Sequence, residues 1–133
     1  MGEEIARDRA RLELVTSLLA EQERRPTLPN AHVQQAFVQV TERLTNERGN
    51  LLSKLLDSLR RVLNSTATQL AQELGLTEEQ GQHYRDETFR AASSPLQERG
   101  GFGGPESIPA LDKAIQEQAD LLRWVRQAKG LDT

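Results

Sequence analysis

Three side chains that can ligate a divalent cation recur at four-residue spacing: Glu79, His83 and Glu87. Residues four apart lie on one face of a helix, so two carboxylates would flank one imidazole. A carboxylate-bridged di-iron bundle requires Glu-x-x-His pairs, and the sequence contains none. The same spacing is typical of a solvated polar face with one surface histidine. Glu79, His83 and Glu87 are therefore weak metal-site candidates, and we predict no bound metal.

The sequence contains few residues of the types that carry out catalysis. The 133-residue chain has no cysteine and only two histidines, His32 and His83. This composition excludes thiol nucleophiles, iron–sulfur clusters and Cys-rich zinc sites, and it leaves few general bases. No combination of serine, histidine and aspartate suggests a catalytic triad. We predict a protein that is not an enzyme and has no cofactor.

The segment 67–90 resembles the first half of a helix-turn-helix corner. Ala71 is followed four residues later by Gly75, at the predicted turn. In the second half, Gly81 stands where a recognition helix usually packs a branched apolar side chain. Residues 73–87 also carry five acidic side chains against one basic side chain, and negative charge opposes contact with phosphates. A small DNA-binding transcriptional regulator is therefore the alternative function, and nucleic acid is a disfavoured partner.

The elements that must position these residues are helices. Leucine occupies 20 positions, aromatic residues make up 4% of the chain, and strand-forming residues are scarce. Within 31–74 the apolar stripe keeps its angular phase through Gly49-Asn50, which favours one long central helix of about 65 Å over a break there. We expect an all-α, elongated bundle of four helices, or five if Gly49-Asn50 is a turn. The apolar stripes predict helices over 3–24, 31–74, 78–92 and from about Ser107 onward.

Helix-terminal signals support these boundaries. Asn30 is a good N-cap for the long helix, and Gly75 ends that helix. Thr77 and Gln80 have the spacing of a capping box, which predicts the start of the next helix. In the first helix the apolar stripe is interrupted where Asp8 takes a seam position.

The leucine-rich stripes predict self-association in a coiled-coil-like manner. The long helix carries more leucines around residues 51–63 than one neighbouring helix can cover, so a monomer would expose an apolar patch. The C-terminal seam has Gln118 at one core position, a device that fixes register. We predict a homodimer. The residues predicted to bind protein or a second copy share these seams: Leu51, Leu55, Leu59, Val62, Ile115, Leu122 and Val125.

Residues 43–61 combine this leucine-rich pattern with basic charge. Five Lys and Arg side chains face two acidic ones in this segment. Such a pattern fits an anionic membrane or an acidic partner. A buried helix with a charged outer edge is the favoured interpretation of this segment. The segment lacks the aromatic residues usual at a lipid interface, which disfavours a membrane.

The remaining features complete the predicted organisation. Residues 92–105 are rich in Gly, Pro and Ser, which predicts a flexible loop in a single domain spanning 1–133. Phe102, between glycines in this loop, is a possible docking residue. The net charge is −3 and no apolar run resembles a signal peptide or a transmembrane helix, so we expect a cytoplasmic protein. We predict a non-enzymatic adaptor, assembly factor or regulatory subunit that binds another protein through a helical face.

Overall fold

The computed structural model describes residues 2–23, 30–97 and 103–131. The described residues form four helices and no strand, and 92% of them are helical, which confirms the all-α prediction. None of these helices combines the length and the apolar character needed to cross a membrane. The helices are α1 (Gly2–Glu23), α2 (Ala31–Glu73), α3 (Glu78–Gln97) and α4 (Ser107–Leu131).

The long helix α2 continues through Gly49-Asn50, as the phase of its apolar stripe predicts. A β-carbon added at Gly49 would meet nothing within 4 Å, so no close packing requires a glycine there. Asn30 caps the start of α2, because its side-chain Oδ1 accepts a hydrogen bond of 2.9 Å from the backbone N–H of Val33. The prediction of one long helix is confirmed.

The turn between α2 and α3 is set by local hydrogen bonds. Gly75 has a φ of 74°, a conformation that favours glycine. The N–H groups of Leu76 and Gly75 donate to the carbonyls of Ala71 and Gln72 in the pattern of a Schellman motif. Thr77 then forms the predicted capping box with Gln80, through bonds of 3.0 and 3.2 Å. Both predictions for this turn are confirmed.

The predicted end of α3 is wrong. The structure extends α3 through Pro95 to Gln97, so residues 92–97 are helix and not part of a flexible loop. The extension places Leu96 in the core, at 6% exposure, and burial of a leucine side chain compensates the hydrogen bond that proline cannot donate. Helix α4 begins at the predicted Ser107 and continues through Gly130 to Leu131. Residues 98–102 of the predicted loop lie outside the described residues.

The chain divides into two compact units, and the boundary between them, after Leu55, falls within the sequence of α2. The N-terminal unit, residues 1–55, contains α1 and the first part of α2. Its buried residues are Asp8, Val15, Leu19 and Leu55. The prediction of a single domain over 1–133 is not tested by this division and stays a prediction.

Charged side chains join the two helices of the N-terminal unit. Lys54 on α2 lies 3.3 Å from a carboxylate oxygen of Glu4 and 3.5 Å from Oδ2 of Asp8, both on α1. The hydrogen bond with Glu4, followed by the charge of Asp8, raises the pKa of Lys54. Arg11 and Glu47 make a further ion pair of 2.7 Å between the same helices.

The C-terminal unit, residues 56–133, contains the larger core. The C-terminal part of α2 packs together with α3 and α4 around a shared core. Leu70, Leu122 and Val125 form a buried cluster against which Tyr84 packs. The other buried apolar side chains of this unit are Leu56, Leu59, Leu63, Ala67, Ala71, Leu96, Leu111 and Ala114.

Candidate functional site

A groove of about 890 Å³ runs between α3 and α4 in the C-terminal unit. Much of its lining consists of small or cyclic side chains, which fill less space between two helices than leucines would. The groove is therefore open and partly apolar. Its small and cyclic lining residues are Ala91, Ala92 and Pro95 on α3, and Pro109, Ala110 and Ala114 on α4.

The charged side chains that line the groove are mostly acidic. Glu87 on α3, Glu106 just before α4, and Glu117 on α4 contribute carboxylates, against Lys113 as the one base among the lining residues. Tyr84 also lines the groove, and its hydroxyl donates a hydrogen bond to Oε1 of Gln118. This bond links α3 to α4 and orients Gln118 within the same chain.

The α4 wall of the groove continues into an exposed apolar surface. Leu121 and Trp124 follow Glu117 at spacings of four and three residues, so all three lie on one face of α4. Leu121 is 48% exposed and Trp124, the chain's single tryptophan, is 66% exposed. Contact between a large apolar ring and water is unfavourable, and tryptophan is enriched at the hot spots of protein interfaces. Trp124 is therefore a candidate anchor for a partner.

The residues predicted for self-association are largely covered within one chain. Leu55, Leu59, Leu122 and Val125 are buried, whereas Leu51, Val62 and Ile115 are half-buried. The premise that a monomer must expose the leucines of α2 is therefore wrong at the buried positions. Gln118, predicted to set register between copies, is bonded to Tyr84 instead. The homodimer itself stays a prediction.

The candidate metal ligands do not converge in one chain. Nε2 of His83 lies 3.8 Å from Oε1 of Glu87, and both side chains are exposed. Across the described residues, no group of three or more His, Asp or Glu side chains is placed to hold a metal ion. Glu79 therefore does not complete a site with His83 and Glu87. Phe102, the predicted docking residue, lies outside the described residues.

The helix-turn-helix-like corner packs as two helices joined by a tight turn. Gly81 on α3 is buried, and a β-carbon built there would lie 3.7 Å from the methyl group of Ala71. The exposed side chains of α3 include Glu78, Glu79 and Asp86. Because these carboxylates would face phosphates, the exposed side of α3 gives no support to the DNA-binding alternative.

The end of α2 is tied to α4 by a charged cluster. Glu73 lies 3.2 Å from Nζ of Lys129 and 3.4 Å from Nε of Arg126. The hydrogen bond with Lys129 is the main cause that lowers the pKa of Glu73, and Arg126 adds to it against partial desolvation. This cluster holds two helices together and lies outside the lining of the α3–α4 groove.

Sequence reasoning missed the α3–α4 groove. Three of its seven lining residues on α3, Ala92, Pro95 and Leu96, fall in the segment 92–105 that the sequence predicts to be a loop. The available signal was the spacing of Ala110 and Ala114 on α4 beside the larger seam residues. Small residues four apart on one face mark a place where a neighbouring helix can approach or a groove can remain.

Comparisons of the chain with protein-family models, with curated proteins and with solved structures find no significant match.

Proposed function

We propose that this chain is a non-enzymatic interaction protein, an adaptor or regulatory subunit, that binds a helix of another protein in the α3–α4 groove. The single observation that supports this function is the groove with its continuation onto Leu121 and Trp124. An amphipathic helix laid in such a groove places apolar anchors at i, i+3, i+4 and i+7 spacing. Each anchor that is fully buried contributes about 1.5–3 kcal/mol.

The charges around the groove specify the kind of helix. Glu106 and Glu117 against Lys113 leave an acidic rim, and Glu87, which pairs with Arg90 at 3.2 Å, lies beside them. A partner helix with Lys or Arg beside its apolar stripe complements this rim, which favours association and the correct orientation. The proposed partner is therefore a basic amphipathic helix.

The experiment is quantitative capture of binding proteins from a lysate of the source cells. Ala110→Phe fills the groove and Trp124→Ala removes the exposed anchor, and each should reduce the yield of the captured partner at least tenfold. Ala10→Phe and Leu14→Ala make matched changes at exposed positions of α1 and should leave the yield unchanged. Equal capture by all four variants would contradict the proposed function.

A second readout uses Trp124 as its own probe. Because it is the only tryptophan, the fluorescence of the chain reports on this one position. A purified partner helix should shift the emission of Trp124 to shorter wavelength as the ring leaves water. Glu106→Lys combined with Glu117→Lys should weaken that binding without altering the apolar lining.

Self-association is a further part of the proposal. Of the seven predicted positions, only Leu51, Val62 and Ile115 remain partly accessible, so a second copy would have to contact these side chains. Light scattering coupled to size exclusion, at about 1 to 100 μM, tests this association by mass action. A mass near the 14.9 kDa of one chain throughout would contradict it.

A further inference from the structure

A second cleft, of about 480 Å³, lies between α2 and α3 in the C-terminal unit. Unlike the α3–α4 groove, it is lined mainly by polar side chains, and three of these are arginines. Arg60 stands on α2, and Arg85 and Arg90 stand on α3. We call this site the arginine cleft. Its other lining residues include Asn64, Gln82 and Asp86.

Two of the arginines are held in place by uncharged groups. The guanidinium of Arg60 lies 4.1 Å from the centre of the Phe89 ring, a cation–π arrangement. Arg85 donates hydrogen bonds to the hydroxyl oxygen of Thr68 at 3.1 Å and to Oε1 of Gln82 at 2.7 Å. These contacts restrict both side chains without neutralising them. No carboxylate of the described residues forms an ion pair with Arg60 or Arg85.

The local charge indicates the kind of ligand. Arg90 is paired with Glu87 at 3.2 Å, and Asp86 contributes one negative charge to the cleft. The remaining charges of Arg60 and Arg85 against Asp86 leave the site with one net positive charge. This excess matches a monoanionic carboxylate better than a phosphate dianion. A guanidinium can also pair bidentately with a carboxylate, which makes the contact directional.

The charge of the whole unit argues against an extended polyanion such as a nucleic acid. Residues 56–133 contain nine Lys and Arg against 12 Asp and Glu. A nucleic acid or an anionic membrane extends over the surrounding surface and would meet this excess of negative charge, whereas a short acidic peptide segment that fits the cleft would meet mainly the local field. The arginine cleft is thus a small basic site in an acidic unit.

We propose that the arginine cleft receives an Asp or Glu carboxylate from a partner protein, between the guanidinium groups of Arg60 and Arg85. The inference rests on the proposed function, since the carboxylate belongs to a bound protein. It adds a second contact surface on α3, on the side that packs against α2. The anion is recognised by charge-assisted hydrogen bonds, which are about twice as strong as neutral ones.

The experiment is a titration followed by NMR of the arginine side-chain Nε–Hε groups. The probe is a terminally blocked tetraglutamate peptide, with tetraglutamine and inorganic phosphate as separate arms. Tetraglutamate should shift the Arg60 and Arg85 resonances saturably, and tetraglutamine should not. Arg60→Gln and Arg85→Gln should each weaken this binding about tenfold, the loss of one charge-assisted contact.

The matched control is Arg123→Gln. Arg123 is an exposed arginine on α4, near Asp120 and outside the lining of the arginine cleft. This variant should bind tetraglutamate as the unaltered chain does. A second control, Arg60→Lys, keeps the positive charge but removes the planar guanidinium that can make two parallel hydrogen bonds to a carboxylate. This variant should retain part of the affinity, because a lysine pairs as a point charge.

Three results would overturn the proposal. They are an absence of saturable shifts with tetraglutamate in the folded chain, equal weakening by Arg123→Gln, and tighter binding of phosphate than of tetraglutamate. The groove variant Ala110→Phe separates this proposal from the proposed function. It should abolish capture of the partner helix while leaving the tetraglutamate titration unchanged, so the two can fail independently.

Discussion

The two compact units use similar amphipathic helices but enclose very different amounts of apolar surface. In the N-terminal unit, α1 faces one segment of α2, and the buried apolar residues are Val15, Leu19 and Leu55. Leu14 and Val40 remain about half exposed. Among the described residues of the C-terminal unit, three helical segments bury 11 apolar side chains. Two packed helices bury only the apolar side chains along their one line of contact. A third helix covers the side chains that would otherwise remain exposed beside that line.

The two units also differ because the N-terminal unit buries a charged side chain between its two helices. The seam of the N-terminal unit contains Asp8, which is only 6% exposed. Its Oδ2 has no hydrogen-bond partner among the described residues, although Lys54 lies 3.5 Å away. Buried carboxylates without hydrogen bonds are costly. The N-terminal unit should therefore be the less stable of the two, and the next three predictions test that comparison.

The largest effect should come from cavities in the two cores. Leu63, in the C-terminal unit, is 1% exposed, so Leu63→Ala should lower the free energy of unfolding by about 2–5 kcal/mol. Leu19→Ala makes the same change in the N-terminal unit, where Leu19 is 8% exposed and already lines a surface pocket beside Gln22 and Phe37. We expect a smaller loss there, measured by urea denaturation with circular dichroism. Equal losses at both positions would contradict the comparison.

Replacing the buried carboxylate should stabilise the N-terminal unit. Asp8→Leu removes a charge from the seam and continues its apolar stripe, so it should raise the free energy of local unfolding by about 1–2 kcal/mol. The measurement is native-state hydrogen exchange of α1 amides. Glu4→Gln is the control, since it removes the exposed partner of Lys54 and should change exchange little. Faster exchange in Asp8→Leu would show that the Lys54 pair outweighs the burial of Asp8.

Removing a helix cap should lower global stability in the C-terminal unit more than in the N-terminal unit, by a smaller amount than a core cavity does. Thr77→Ala breaks the capping box of α3 and should cost about 1 kcal/mol of global stability. Asn30→Ala removes the cap of α2, but there we expect local fraying of the first turn with little global effect, because the neighbouring side chains are exposed. Thermal unfolding and hydrogen exchange separate the two outcomes. A global loss in Asn30→Ala as large as that in Thr77→Ala would be inconsistent with a weak N-terminal unit.

The smallest effect concerns pH and the charged cluster at Glu73. The folded state lowers the pKa of this carboxyl. Its contribution to stability is therefore present above the unfolded pKa and is lost as pH falls through the folded pKa. Lys129→Met should raise the pKa of Glu73 more than Arg126→Met, because the hydrogen bond with Lys129 is the larger cause. Carbon NMR of the Glu73 carboxyl during an acid titration measures both shifts, and a larger effect of Arg126→Met would reverse this order.

The parts of the fold that could be predicted were governed by neighbours in sequence. The continuity of α2, the cap at Asn30 and the turn at Gly75 depend on hydrogen bonds among residues within five positions. Leu55 and Leu59 were correctly placed on an apolar stripe, but periodicity does not say which helix covers a stripe. Both side chains are covered within one chain, and their part in self-association stays a prediction. The end of α3 was missed because burial of Leu96, a tertiary effect, extended the helix past the proline.

The amino-acid sequence by itself determined the all-α class, the start of each helix, and the absence of cysteine chemistry, because these follow from side-chain type and from short-range hydrogen bonds. The tertiary structure alone decided which faces are covered and which remain open. Only the packing of α3 beside α4 leaves the alanine-lined groove, and only the packing of α3 beside α2 brings Arg60 over Phe89 and beside Arg85. Both sites join residues far apart in the chain. The interactions that form them are therefore set by how whole helices pack, which no local pattern specifies.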